Sequence, residues 1–232
     1  MLTVSHDAVS VELDLLVGRV ACPGCGGRLR PWGWARPRVV REGLGPDWAG
    51  RWLRPRRSRC VACQGTHVLL EVRLAVRRAD TAEVIAAAVE AKTALRWGHR
   101  RIAAGCGRPV STVRGWLRAF QAAAAVISDR FTELLVRDAP DAVVLWPTPA
   151  GTAPGEALSV LMAYADGLAR RFAATVMVTW VQAGIAASNG RLFCSSWWAA
   201  GSNTNRHLRP NLSAGKGGRS ACHIPVIGVF TV

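Results

Sequence analysis

Four cysteines fall in two Cys-x-x-Cys pairs, Cys22 with Cys25 and Cys60 with Cys63. Gly24 lies inside the first pair, Gly26 and Gly27 follow it, and Gly65 follows the second pair, as a tight turn requires. A pair with this spacing can fill two positions of a tetrahedral metal site, and a second pair can complete it. The spacing therefore predicts one structural Zn²⁺ ion held by four thiolates, which leave no open position for a catalytic water.

Other uses of these cysteines are less consistent with the sequence. A redox pair would stand at the start of a helix, and no helical pattern follows either pair. The first residues, MLTVSHDAV, lack the basic and apolar segments of a secretory signal, so we expect a cytoplasmic protein, in which disulfides are rare. Metal-free thiols and disulfides are the alternatives.

Other residues that could bind a metal are assigned separately. His67 could replace a ligand, although a strand or surface histidine is favoured. Cys106 is expected in the core, and no role is assigned to Cys194 and Cys222.

The positive charge is concentrated in the first part of the chain. The net charge is +15, and residues 19–59 carry eleven arginines against two acidic residues. From residue 139 onward there are seven basic and three acidic residues. A GC-rich genome also enriches arginine, but this distribution favours an anionic partner for the first domain. The uncharged run 172–190 contains too many polar residues for a membrane span, so no membrane partner is expected.

The hydrophobic pattern predicts an α+β chain, with a small β zinc ribbon followed by a mainly α helix-turn-helix domain and a helical, partly disordered C-terminal region. Ser10 is expected to cap a helix that ends near Gly18. The ribbon strands are expected at 28–34, 51–59 and 66–72, and later helices near 81–97, 156–174 and 176–187. The predicted parts are a helical lead-in at 1–19, the zinc ribbon at 20–72, the helix-turn-helix domain at 80–137, a linker at 138–156, a helical segment at 157–192 and a disordered tail at 193–232.

Residues 99–118, HRRIAAGCGRPVSTVRGWLR, fit a helix-turn-helix. Such a unit needs an apolar and a small residue where the helices cross, a glycine at the turn, and apolar residues three apart in the second helix. These positions are filled by Ile102 and Ala103, by Gly107, and by Val113 and Trp116. Gly107 can adopt the positive φ of a sharp turn.

The second helix of this unit would expose polar side chains to DNA. Its N-terminal residues are predicted to reach base edges in the major groove. The predicted base-reading residues are Ser111, Thr112, Arg114 and Arg118. The predicted phosphate contacts are Arg54, Arg56, Arg57, Arg100, Arg101 and Arg108. An ordinary helical hairpin with a solvated arginine face is the alternative.

Four tryptophans alternate with arginines in the ribbon: Trp32, Trp34, Trp48 and Trp52. We expect the indoles to form the ribbon's small core, because so small a domain has few other large side chains to bury. Stacking of the indoles on arginines or on a ligand is the alternative.

These segments resemble a known family. CPGCGGRLRPWGWARPR, LRPRRSRCVACQGTHVLL, RRADTAEVI and GHRRIAAGCGRPVSTVRGWLRAF, within residues 10–137, are similar to uncharacterised proteins of high-GC actinobacteria that are often encoded beside insertion-sequence transposases. They also resemble the DNA-recognition half of transposases that carry a cysteine ribbon ahead of a helix-turn-helix. The resemblance implies zinc on the four paired cysteines, DNA binding through a helix near 111–120, and no established reaction. Beyond Leu192 the chain departs from the family pattern.

The acidic residues do not predict an enzyme. A two-metal transposase core needs clustered carboxylates on strands, whereas the last acidic residue here is Asp166 and the acids after the recognition segment fall on predicted helices or the linker. We therefore expect a zinc-containing protein that binds double-stranded DNA in a mobile element or in transcription regulation. The alternatives are an accessory or truncated transposase acting on DNA ends and a protein-interaction scaffold. A transposase and a second copy of the chain are further candidate partners.

Overall fold

The computed structural model describes residues 1–141, 149–172 and 177–194, so residues 142–148 of the predicted linker and almost all of the predicted tail, including Cys222, lie outside the described residues. The described residues form a mixed α+β fold with a small sheet region and six helices, as the sequence predicts at this level. The elements are β1 (Leu2–Val4), α1 (Ala8–Val17), β2 (Leu29–Trp34), β3 (Arg38–Glu42), β4 (Ala49–Leu53), β5 (Arg56–Cys60), β6 (Thr66–Glu71), α2 (Ala82–Thr93), α3 (His99–Cys106), α4 (Val110–Asp138), α5 (Ala153–Arg171) and α6 (Trp180–Ala187).

A four-stranded sheet has the order β1-β6-β5-β2, and β3 and β4 form a separate hairpin. β1 runs parallel to β6, while the β6–β5 and β5–β2 pairs are antiparallel. The strand predicted at 51–59 is two strands in different sheets. Pro55, which has no N–H to give to a ladder, stands at the break between them.

Helix α1 packs on one face of the sheet. Val11 and Leu15 share a buried cluster with Leu29 and Leu69 of the strands. The helix begins earlier than predicted, because the carboxylate of Asp7, and not Ser10, caps it by accepting hydrogen bonds from the N–H groups of residues 9 and 10 at 3.0 and 3.2 Å. The predicted lead-in is therefore part of the sheet domain.

The five helices α2 to α6 share one hydrophobic core. The 29-residue α4 packs along α5, where the rings of Phe131 and Tyr164 meet edge to face at 5.4 Å between centroids. Phe120 of α4 also lies 6.3 Å from Phe193, which follows α6. The segments predicted at 80–137 and 157–192 are thus joined by packing across the predicted linker. Among the helices in the described ranges, none has the length and apolar character needed to cross a bilayer.

Candidate metal centre and nucleic-acid interface

Each Cys-x-x-Cys pair closes a turn of the same form. The backbone N–H of the first cysteine donates to the carbonyl five residues later, from Cys22 to Gly27 at 2.7 Å and from Cys60 to Gly65 at 2.9 Å. The carbonyl of the same cysteine accepts from the N–H four residues later, at 2.8 and 3.1 Å. The two turns lie side by side because β2 and β5 pair in the sheet, with Leu29 opposite Cys60.

The four sulfur atoms converge on one point. All Sγ atoms of the two pairs lie within 4.8 Å of one another, with 3.5 Å between Cys25 and Cys60 and 3.7 Å between Cys22 and Cys63. A disulfide has a bond of about 2.05 Å, so these sulfurs are not bonded. Four thiolates around a zinc ion, at about 2.3 Å each, would be about 3.8 Å apart. The cluster could therefore hold a metal ion, and it is the only such group in the described ranges.

The thiols differ in acidity. The backbone N–H of Cys63 is the largest influence on Cys60 and lowers its pKa to about 7. The pKa of Cys22 is raised, mainly by burial. At Cys63 the N–H of Gly65 favours the thiolate, but burial and the neighbouring cysteines outweigh it and raise the pKa to about 12. Crowded thiols oppose each other's ionisation, and a bound cation would reverse this by stabilising all four thiolates.

His67 lies beside the cluster without belonging to it. The residue is on β6, and its Nε2 is 3.4 Å from Sγ of Cys22. Burial lowers the pKa of the imidazole and favours its neutral form. His67 thus lies on a strand, as favoured from the sequence, and the pairing of β5 with β6 places it against one of the four cysteines.

Gly27 allows the two turns to approach. A Cβ at this position would lie 2.9 Å from Cβ of Ala62 and 3.0 Å from Sγ of Cys60. The first distance is shorter than real Cβ contacts and the second is tighter than most of them, so a side chain here would push the turns apart.

The α3–α4 helix pair has the predicted inner face. Gly107 ends α3 with a φ of +64°, and the sequence-predicted residues Ile102, Val113 and Trp116 are buried. On the outer side Ser111, Arg114 and Arg118 are exposed, while Thr112 is half-buried. No carboxylate in the described part of the chain pairs with these two arginines.

The arginines predicted to contact phosphate fall into two groups. Arg54, Arg100 and Arg101 are exposed and Arg57 is half-buried, and none of these four has a carboxylate partner in the described ranges. Arg56 instead makes two hydrogen bonds of 2.8 Å to the carboxylate of Glu12, so its charge is already neutralised within the protein.

The predicted phosphate contact of Arg108 is wrong. Its side chain is buried, and its Nε donates to Asp80 at 2.5 Å while Nη2 donates to the carbonyl of Gly43 at 3.3 Å. The guanidinium therefore cannot reach a phosphate. Its partner Asp80 is 28 positions earlier in the chain, which no local pattern indicates.

Asp80 also joins the β3–β4 hairpin to the helices. Its second carboxylate oxygen accepts a hydrogen bond of 2.6 Å from Arg41 of β3. At the hairpin tip, the N–H of Gly45 donates to the carbonyl of Gly105 in α3 at 3.0 Å. The hairpin tip is thus held against the α3–α4 turn.

The tryptophans of the ribbon do not form its core. Trp32, Trp34, Trp48 and Trp52 are 51%, 52%, 39% and 73% exposed. The predicted core role is wrong because α1 supplies the apolar side chains that cover the sheet. Three of these indoles lie instead against arginines, with ring centroids 4.5 Å from Arg59 for Trp32, 4.8 Å from Arg56 for Trp34 and 5.1 Å from Arg108 for Trp48.

Comparison of the chain with protein-family models, with curated proteins and with solved structures finds no match.

Proposed function

We propose that this chain is a zinc-containing DNA-binding protein in which α3 and α4 act as a helix-turn-helix. The N-terminal turns of α4 would enter the major groove, where Arg114 can donate two hydrogen bonds to a guanine and Ser111 can contact a base or a phosphate. Arg118 lies one turn further along the same face, and Thr112 at its edge. Arg100 and Arg101 on α3 would hold the phosphate backbone.

One observation carries this proposal: the two sides of α4 differ as a DNA-reading helix requires. Val113 and Trp116 are buried in the core, whereas Arg114 and Arg118 project outward without an acidic partner in the described ranges. Exposed cations that the protein leaves unneutralised favour an anionic partner. Other arginines of the chain, such as Arg56 and Arg108, have carboxylate partners. The absence of such partners at Arg114 and Arg118 therefore favours a DNA-binding face over a face that contacts only water.

The metal that we propose for the cysteine cluster is zinc. Four thiolates in a tetrahedral set are typical of structural zinc sites, and such a set leaves no position for substrate. The ion would hold the two turns together and fix the edge of the sheet that carries β2 and β5. The arginines of this region, Arg54 and Arg57, are the proposed phosphate contacts of the ribbon.

The biological role that we propose is in a mobile element or in transcription regulation, in the cytoplasm. It rests on the resemblance to proteins encoded beside transposases and on the basic charge of the first domain. A transposase and a second copy of the chain are the protein partners that this role suggests.

Selection of binding sites from random duplexes, with the zinc-loaded full chain, tests the function. We expect a recovered sequence motif, and we expect Arg114→Ala to relax one of its positions at a cost of about 1–3 kcal/mol. Arg170→Ala, which removes an exposed arginine without a carboxylate partner in the described ranges at the end of α5, is the matched control and should leave the motif unchanged.

Two results would overturn the proposal. No enrichment of any duplex would favour a protein-interaction scaffold, and metal-dependent nicking of DNA ends by the purified protein would favour an accessory transposase. The salt concentration must be fixed throughout, because phosphate contacts dominate the affinity.

A further inference from the structure

An open groove of about 340 Å³ lies on the outer face of the sheet, beside the second cysteine pair. Its walls include Arg30, Trp32, Arg59 and Gln64. These four side chains are two cations, one aromatic ring and one amide. They play no part in the metal cluster or in the predicted base-reading face of α4.

The strand register places the side chains that line the groove on one face of the sheet. Arg30 of β2 stands opposite Arg59 of β5, so both side chains project from the same face. The register shifts between Pro31 and Trp34, but the contact of Trp32 with Arg59 places the indole on that face as well. The opposite face is the one covered by α1.

Trp32 is held in place and yet remains accessible. The Arg59 guanidinium lies 4.5 Å from the centre of the indole, and about half of the residue is exposed. A cation on one side of the ring restrains it by a cation–π contact. The indole therefore offers its remaining surface to a planar ligand at little cost in side-chain entropy.

The groove is also positively charged. Within the described ranges no carboxylate pairs with Arg30 or Arg59, in contrast to the neighbouring Arg56. Gln64 is fixed by a hydrogen bond of 2.8 Å from its Nε2 to the carbonyl of Val61, and its Oε1 accepts no hydrogen bond from the described residues. The groove thus combines anion-binding groups with a stacking surface and a free acceptor.

We propose that this groove binds one unpaired base of single-stranded DNA. Trp32 stacks on the base, Arg30 and Arg59 contact the flanking phosphates, and Gln64 accepts a hydrogen bond from the base edge. The base must be unpaired, because both faces of a paired base are covered by its neighbours in the duplex. The choice of DNA over RNA rests on the proposed function, whereas the stacking site does not depend on the helix-turn-helix.

The test is fluorescence anisotropy of a labelled mixed-sequence single strand of about 16 nucleotides, the upper end of the site sizes of such surfaces. The zinc-loaded full chain is titrated as wild type and as Trp32→Ala, Trp32→Phe and Trp52→Ala. We expect Trp32→Ala to weaken binding by about 5- to 150-fold, the loss of one stacked base, and Trp32→Phe to restore much of it. Trp52→Ala is the matched control, since Trp52 is more exposed than Trp32 and lies on the separate β3–β4 hairpin, and it should bind as the wild type does.

The outcomes separate this inference from the proposed function. Loss of single-strand binding in Trp32→Ala, with unchanged zinc content, supports the groove even if no duplex motif is ever selected. Equal losses in Trp32→Ala and Trp52→Ala, or none in either, would overturn it. Tighter binding of the same sequence as RNA would overturn the assignment to DNA.

Discussion

The carboxylate of Asp80 accepts a hydrogen bond from Nε of Arg108 at 2.5 Å, and the two side chains are only 2% and 1% exposed. The other oxygen of the same carboxylate accepts from Arg41 at 2.6 Å. One buried carboxylate therefore pairs with a guanidinium at the α3–α4 turn and with a second one on the β3–β4 hairpin. This arrangement fixes the ribbon side of the molecule to the helices that we propose to read DNA.

Asp80→Asn should strongly destabilise the protein. The amide removes the charge that compensates the buried Arg108, and breaking one partner of a buried pair costs about 3–5 kcal/mol of unfolding free energy. Chemical denaturation of the zinc-loaded chain measures this loss. Asp14→Asn is the matched control, because Asp14 pairs with the exposed Arg19 and its loss should cost no more than about 1 kcal/mol. Equal losses in the two variants would contradict a structural role for the buried pair.

Local spacing was enough to predict the convergence of the cysteines and the inner face of the helix pair. Two turns with equivalent cysteines need only a strand pairing to bring their sulfurs together, and Gly107 marks a turn whatever surrounds it. The buried positions Val113 and Trp116 follow from helical periodicity alone. These features depend on residues a few positions apart.

Two of the errors came from contacts between distant residues. Arg108 is indistinguishable from a surface arginine until Asp80 is placed beside it. The indoles of Trp32 and Trp34 could be assigned to a core only because the sequence did not show that α1 covers the sheet. In both cases the side chain's environment is decided by tertiary packing, which composition and periodicity do not encode.

Cys60→Ser should weaken metal binding severely. The purified wild type is expected to contain about one zinc ion per chain, and the variant much less, because three thiolates bind zinc far more weakly than four. Metal content and hydrogen exchange measure the effect. Protection should fall in the turns and in β2 and β5, while α4 stays protected by its own core.

Cys106→Ser is the control for that experiment. Cys106 is buried in the helical core and belongs to no metal cluster in the described ranges, so its variant should keep the zinc. Retention of zinc by Cys60→Ser, or its loss from Cys106→Ser, would contradict the assignment.

His67→Ala should weaken zinc binding without changing the ligands. The imidazole lies 3.4 Å from Sγ of Cys22 and can orient that thiolate, and loss of an outer contact of this kind typically costs 10- to 100-fold in metal affinity. Competition with a chromophoric chelator measures the affinity, and the spectrum of the Co²⁺-substituted protein reports the ligand set. A wild-type spectrum of three thiolates and one nitrogen, which changes in the variant, would show His67 to be a ligand. The control is His99→Ala, at the start of α3, which should change neither the zinc affinity nor the Co²⁺ spectrum.

Gly107→Ala should disrupt the contact between the hairpin and the helix pair. A Cβ at this position would lie 1.7 Å from the carbonyl oxygen of Gly45, and the backbone φ of +64° alone costs a residue with a side chain about 1 kcal/mol or more. Gly105→Ala is the control, because a Cβ there meets nothing within 4 Å and an alanine in a helix should be neutral or stabilise by up to about 1 kcal/mol. Thermal unfolding compares the two variants, and a stable Gly107→Ala protein would contradict the close approach of the hairpin tip.

The salt dependence of duplex binding should distinguish free arginines from paired ones. Each phosphate contact contributes about 0.9 to the slope of log K against log salt, so Arg100→Ala and Arg57→Ala should each reduce the slope by about that amount. Arg56→Ala should leave the slope unchanged, because Glu12 already neutralises this guanidinium with two hydrogen bonds of 2.8 Å. Affinities measured over a series of salt concentrations give the slopes. An equal reduction in Arg56→Ala would mean that the Glu12 pair opens on binding, and an unchanged slope in all three variants would remove these arginines from the interface.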